Sequence, residues 1–242
     1  MRHPHGLRAA ATPGIVTTGL VLNLDAGNSA SYPGSGTTWT DLSGNGNTGT
    51  LTNGPTYSSA DGGSIVFDGT NDCVVVPYNS NLNPSNVSIS AWFKRTSVIS
   101  YSQFAGLPIS NTAWNSPYVS YGFEFIGTSS SLALILGFSP SAFAYTTAPA
   151  TASLAVGVWV NAVGTYDGSN SKIYINGSLI TSNAETRTLR TVSGKFTLGK
   201  ETESLSNYSF AGNISNTIVY NRALTAAEVT QNFNALRGRY GL

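Results

Sequence analysis

The residues able to do chemistry are few in this 242-residue chain, and most of them are carboxylates. Two facing carboxyl groups could cleave a glycosidic bond, given about 5–5.5 Å between them for retention or about 6.5–9.5 Å for inversion. Of the 11 acids, Glu124 falls inside a strong strand run, between Phe123 and Phe125. Glu201 and Glu203 share a face at period two, but they follow the run Lys195–Leu198 in a Ser/Asn-rich loop, where an exposed pair is expected. Glu228 belongs to a helix cap. Hydrolysis is therefore not expected, and the chain reads as a non-enzyme. His3 and His5 are the two histidines, which excludes a His-based metal site or a Ser-His-Asp triad in the folded body. Cys73, the single cysteine, cannot form an internal disulfide and is expected to fill core space as a small hydrophobe.

Calcium is the one cofactor that the oxygen donors could hold, and none is required. Asp41-x-Ser43-x-Asn45-Gly46-Asn47 imitates the first half of a calcium loop, but the position of the closing bidentate Glu is Thr52. Asp68-Gly69-Thr70-Asn71-Asp72 is a second cluster of oxygen donors. Asx-turns account for both segments without a metal, and Asp41, Asn45, Asp68 and Asp72 are the candidate ligands. Sugar recognition would use exposed aromatic rings with amides beside them. Trp92 and Trp159 sit in strong strand runs and are expected in the core, with Trp39 as a lid on a sheet edge. Trp114 lies instead in the polar segment Ser110–Tyr118, so Trp114, Asn115 and Tyr118 are the candidate glycan-binding residues. The same exposed aromatics would also serve a contact with a neighbouring subunit.

The elements that must position these residues are strands. Hydrophobic residues make up 40% of the chain and charged residues 10%, against roughly 25% charged in an average soluble domain. Ser, Thr, Asn and 26 Gly take the place of charge, and a net charge of +1 offers no footprint for nucleic acid or an anionic membrane. No apolar run is long enough to cross a membrane as a helix, and the N-terminus lacks the apolar stretch of a signal peptide. Short β-rich runs follow one another, among them Leu20–Leu24, Ser64–Phe67, Val87–Phe93, Tyr121–Ile126, Leu132–Leu136, Trp159–Tyr166 and Asn213–Tyr220. Asp167–Asn170 reads as a hairpin turn, and Asn176-Gly177 as the type I′ signal of the next hairpin. Thr225-Ala226-Ala227-Glu228 is a capping box that opens a helix over 226–236, with Val229, Phe233 and Leu236 as its apolar stripe. Residues 1–18 read as an N-terminal arm, 19–236 as one sandwich domain including the helix, and 237–242 as a tail. The uncharged stretches Ser97–Phe123 and Ala142–Ala155 would suit contacts with other chains, in a homo-oligomer or a lattice.

Ser64–Asp72 followed by Val74–Pro77, the segment Val87–Lys94, the hairpin Trp159–Gly177 and the closing Phe210–Ile214 and Ile218–Thr225 resemble concanavalin A-like, laminin-G-type jelly rolls. The resemblance spans about Leu20 to Phe233 and implies an all-β fold, an antiparallel β-sandwich with one short C-terminal helix. Two departures stand out: Val160-Asn161 where many members have a histidine pair, a change expected to cost little on a solvent-facing position, and Cys73 where an aromatic often stands. The Glu-x-Asp-x-x-Glu pattern of the superfamily's retaining glycosidases does not occur. A narrower resemblance, carried by Gly19–Ala26, Ser31–Trp39, Asp41–Asn47 and Gln231–Gly241, is to phage virion proteins. It implies a non-enzymatic surface component, most simply a capsid decoration protein, assembled in the host cytoplasm and partnered by other virion proteins. The alternative expectation is a carbohydrate-binding module or a fibre or tail adhesin that recognises host surface glycans.

Overall fold

The computed structural model describes residues 13–109, 119–127, 131–139, 142–151, 154–202 and 208–242. The first half of the chain forms β1 (Leu20–Asp25), β2 (Thr38–Trp39), β3 (Gly49–Thr52), β4 (Thr56–Ser58), β5 (Ser64–Asp68), β6 (Cys73–Val76), β7 (Val87–Arg95) and β8 (Gln103–Pro108). The second half forms β9 (Val119–Phe125), β10 (Leu132–Phe138), β11 (Ala142–Ala148), β12 (Trp159–Tyr166), β13 (Asn170–Ile175), β14 (Ser178–Ala184), β15 (Phe196–Leu198), β16 (Ala211–Tyr220) and helix α1 (Ala226–Leu236). All pairings between strands are antiparallel among the described residues. One sheet runs β14-β13-β12-β7-β16-β5-β4, with β1 also pairing β16, and the other runs β11-β10-β9-β8-β15-β6-β3-β2. Strands distant in sequence are therefore neighbours, as β15 and β8 are, and the whole is the expected all-β sandwich.

Strand alternation explains the core. In β7, Val87, Ile89, Ala91 and Phe93 point between the sheets, while Trp92 joins a separate aromatic cluster on the outer side. From the other sheet, Phe104 and Phe125 meet Phe93, Phe104 also meets Phe210, Phe123 and Phe125, and Phe93 meets Phe210, with ring centroids 4.5–6.3 Å apart. Cys73 is completely buried, as a small core hydrophobe should be. Trp39 is fully buried on the short edge strand β2. The turns form as their residues dictate. Asp167 Oδ1 accepts from the backbone N–H of Ser169 and Asn170, and Asn176 and Gly177 both take positive φ (49° and 79°), as a type I′ hairpin demands.

The outer face of the first sheet is covered by the two ends of the chain. Thr225 and Glu228 form the capping box of α1, with Glu228 Oε2 accepting from Thr225 N at 2.9 Å and Arg222 bracing both carboxylate oxygens. Trp92 stacks on Tyr240 (centroids 4.1 Å apart) and on Phe233 (5.6 Å). Residues 237–240 form a turn of 3-10 helix, and Arg239 is paired with Asp25, so the expected tail is docked. At the other end, Tyr220 Oη donates to Val16 O and Val16 N donates to Asn232 Oδ1, which ties residues expected in the arm to the same face. The two positions that replace the family's histidine pair, Val160 and Asn161, are both 1% exposed, so they are not on a solvent face. Asn161 is instead bonded to Asn176 and Ser90. No helix among the described residues is long and apolar enough to cross a membrane.

Along one side, edge strands β11 and β14 lean on each other across the sandwich. Thr181 Oγ1 of β14 donates to Thr147 O of β11 at 2.8 Å, and Thr146 Oγ1 of β11 meets Ser171 Oγ of the adjoining β13 at 2.5 Å. That contact partly covers two uncharged edges.

Candidate functional site

The outer face of the second sheet carries the site. In β9, Tyr121, Phe123 and Phe125 enter the core, which leaves Gly122 and Glu124 on the outside; in β10, Ala133 and Ile135 face the same way. The register aligns them: Gln103 lies opposite Glu124, Gly106 opposite Gly122, and Ile135 between Gly122 and Tyr145. A cavity of about 280 Å³ opens over these positions, close to the lower end of the roughly 300–1,000 Å³ typical of ligand sites. Its walls are aromatic. Tyr101 and Tyr208 pack edge to face on one side (6.2 Å, 87°), and Phe143 and Tyr145 do so on the other (5.3 Å, 75°). Both Tyr101 and Tyr208 hold a left-handed backbone (φ 55° and 67°), a strained conformation of the kind that clusters at ligand sites.

The floor is polar. Gln103 is 3% exposed, and its Nε2 has no hydrogen-bond partner among the described residues. A buried unpaired amide costs roughly 1–3 kcal/mol until something bonds to it. Glycines make room for it: a Cβ on Gly106 would stand 2.3 Å from Gln103 Nε2 and one on Gly122 would stand 3.0 Å from it.

Glu201 joins Glu124 here. It was expected exposed, and it is 5% exposed. β15 pairs with β8, and the turn after it passes through Gly199 (φ 80°), whose Cβ would meet the Phe67 ring at 2.2 Å. That turn, held by Thr197 Oγ1 donating to Glu201 O at 2.9 Å, carries Glu201 to the cavity. Burial pushes the Glu201 carboxyl up to about 7. Burial, assisted by the charge of Glu201, pushes Glu124 up to about 8. Both shifts go the same way. Acid–base cleavage of a glycosidic bond works through two carboxyls driven apart, one ionised and one protonated.

Trp114, Asn115 and Tyr118 lie outside the described residues, as does Glu203. The four candidate calcium ligands divide between two turns. Asp41 Oδ1 accepts from Asn23 N and Ser43 N, and Oδ2 accepts from Ser43 Oγ and Asn47 N, all at 2.7–2.9 Å. Asn45 Nδ2 donates to Leu20 O. Asp68 Oδ1 accepts from Thr70 N, and Asp72 Oδ2 accepts from Asp68 N. Among the described residues no three of His, Cys, Asp and Glu gather as a metal site. These are the bonds of Asx-turns, engaging the carboxylates with the chain's own donors.

Two antiparallel sheets packed as a jelly roll, with one outer face closed by the chain's ends and the other bearing an aromatic-walled cavity, define a lectin-like β-sandwich. The chain belongs to the concanavalin A-like lectin/glucanase superfamily, whose family model matches residues 68–230. No curated protein matches it at a significant level. Among solved structures, domain 4 of the GH43 extracellular arabinanase AbnA from Geobacillus stearothermophilus, in complex with arabinotriose, is 21% identical with a TM-score of 0.65, covering 88% of this chain and 97% of that domain. The binding domain of botulinum neurotoxin DC in complex with SialylT is 18% identical with a TM-score of 0.67 over 91% of this chain. The binding domain of Paraclostridial mosquitocidal protein 1 gives 18% and 0.67 over 90%. The chain spans about half the length of each of these two toxin domains (52%). At such identities the likeness is one of fold.

Proposed function

We propose that this chain is a non-catalytic carbohydrate-binding domain whose ligand occupies the outer-face cavity of the second sheet. The observation that carries the reading is the buried, unpartnered amide of Gln103 on the floor of that cavity, between two aromatic walls. A sugar hydroxyl accepts from Gln103 Nε2, other hydroxyls bond to the carboxyls of Glu124 and Glu201, and the rings of Tyr101, Tyr208, Phe143 and Tyr145 pack on the apolar faces of the sugar. Support also comes from the fold relatives: arabinotriose is bound to the arabinanase domain, and the botulinum domain is in complex with SialylT. These favour glycan recognition over capsid decoration as the reading for this chain. A virion surface is the setting proposed from the likeness of Gly19–Ala26, Ser31–Trp39, Asp41–Asn47 and Gln231–Gly241 to phage proteins, and immunogold labelling of particles and cells from the source tests that separately.

A glycan array probed with the full chain tests the function. Retention of a defined set of glycans is expected. Gln103→Met and Tyr145→Ala should each weaken that binding by about tenfold or more, a cost of about 1.4 kcal/mol. Absence of any retained glycan, or affinity indifferent to both substitutions, overturns the reading.

A further inference from the structure

We infer that the outer-face cavity selects a sugar bearing a free, protonated amino group, such as a de-N-acetylated hexosamine within a glycan. The inference rests on the carbohydrate reading above and narrows it to a ligand class.

Two carboxyl groups, the half-buried Glu124 on β9 and the buried Glu201 after β15, face one aromatic-walled space, and none of the eight described residues lining it is basic. Two carboxylates in a low-dielectric cavity cannot both ionise unless something positive enters with them. An empty or neutral-sugar-filled cavity therefore keeps protons on the pair, in line with the upward shifts of both groups. An ammonium group supplies the missing charge and three donors for two acceptor-only carboxylates. The walls suit the same guest. Four aromatic rings surround the carboxyls, and a cation gains about 0.5–1 kcal/mol over an exposed ring face, rising to about 2 or more when desolvated. Gln103 Nε2, a donor without a partner among the described residues, cannot bond to an ammonium; it needs an acceptor on the same ligand, as the neighbouring hydroxyl of an amino sugar provides. Amine, hydroxyl and an apolar ring face together describe an amino sugar better than a bare cation. Gly106 and Gly122 leave room for the Gln103 amide, which itself forms the floor there.

The titratable groups facing the pair are Tyr101 ahead of β8, Tyr145 on β11 and Tyr208 ahead of β16. Entry of an ammonium drives a carboxyl proton into solvent. Binding near pH 7 should therefore release protons, and affinity should rise with pH until the ligand's amine itself deprotonates.

The test is an array and calorimetry with matched glycans: glucosamine and galactosamine oligomers, the same backbones fully N-acetylated, and neutral glucose and galactose oligomers, with a lysine oligomer as the peptide control. Free-amine glycans are expected to bind at least tenfold more tightly than both counterparts. Net proton release should appear when the titration is repeated in buffers of different ionisation enthalpy. Glu124→Gln and Glu201→Gln should reduce the preference below threefold without lowering the melting temperature, because each removes an ionisable group rather than a packing contact. Equal or tighter binding of the N-acetylated or neutral glycans overturns the inference and leaves the carbohydrate reading standing. Binding of no glycan overturns both. Binding of the lysine oligomer as tightly as the amino sugars overturns the assignment to a sugar and makes the cavity a reader of cationic peptides.

Discussion

The two outer faces of this sandwich are built from the same pleated strands and have opposite fates. On the first sheet, the outward residues Trp92, Val163, Tyr174, Ile218 and Tyr220 are apolar or amphipathic, and the chain's own ends cover them with Val229, Phe233 and Tyr240. Several polar tips are bonded there: Tyr240 Oη donates to Ser215 Oγ, and Asn232 Nδ2 donates to Tyr220 Oη, while Asn161 Oδ1 and Asn216 Oδ1 have no partner among the described residues. On the second sheet, the outward residues around the cavity include Gly106, Gly122, Gln103 and Glu124, and no segment among those described covers them. A face that the chain itself closes contributes stability. A face left with an unpaired amide, a buried Glu201 and a half-buried Glu124 forfeits some, which is how binding sites commonly look.

The sharpest way to break this contrast is to remove the keystone of the closed face. Trp92→Ala should cost about 3–5 kcal/mol by urea unfolding, since a fully buried aromatic is replaced by a cavity. Ligand affinity at the open face, measured well below the melting transition, should be unchanged. A loss of affinity without a loss of stability would show that the contrast is wrong.

Next in size, the two faces should respond to pH in opposite directions. Arg222 and the cap hold the Glu228 carboxyl down at about 2, so its contribution is complete above the ordinary carboxylate range and is lost as pH falls towards 2. Glu124 and Glu201 are raised, to about 8 and about 7, so their contribution is complete below the ordinary range and is lost as pH climbs through 7 and 8. Unfolding free energy followed from pH 2 to 9 should therefore fall at both ends. Glu228→Gln should flatten the acid limb alone, and Glu124→Gln with Glu201→Gln the alkaline limb alone.

Smaller again is Gln103→Met, which removes the unpaired donor at nearly constant volume. Stability should hold or rise by up to about 1 kcal/mol while glycan affinity falls, the reverse of the Trp92 result. Thr225→Ala, which deletes the helix cap on the closed face, should cost about 1 kcal/mol and move the melting temperature by about 2–4 °C with no effect on binding.

Much of the fold was legible because its signals are local. Alternation in Val87–Phe93, the Asn176-Gly177 turn and the Thr225–Glu228 box each depend on residues within a few positions of one another. The site was legible only in fragments. Glu124 was recognisable as an acid inside a strand, but its companion Glu201 lies 77 positions away in a stretch that reads as open loop. Gln103 carried no sequence signal, since an amide near a strand start is unremarked until the register sets it over two glycines. The docking of residues 237–240 was equally hidden, because its partners Asp25 and Trp92 come from strands far back in the chain.

The amino-acid order by itself determined the class of this protein: period-two patterning, turn residues and scarce charge leave an antiparallel sandwich as the way to bury its apolar half. Only the tertiary structure decided which outer face would be closed and which would be left open. That depends on non-sequential strand order, with β15 laid beside β8 and the C-terminal turn laid across β7, and on the dehydration of groups that meet only after folding. A carboxyl's proton affinity and an amide's lack of a partner are properties of surroundings assembled from distant residues, and no local pattern encodes them.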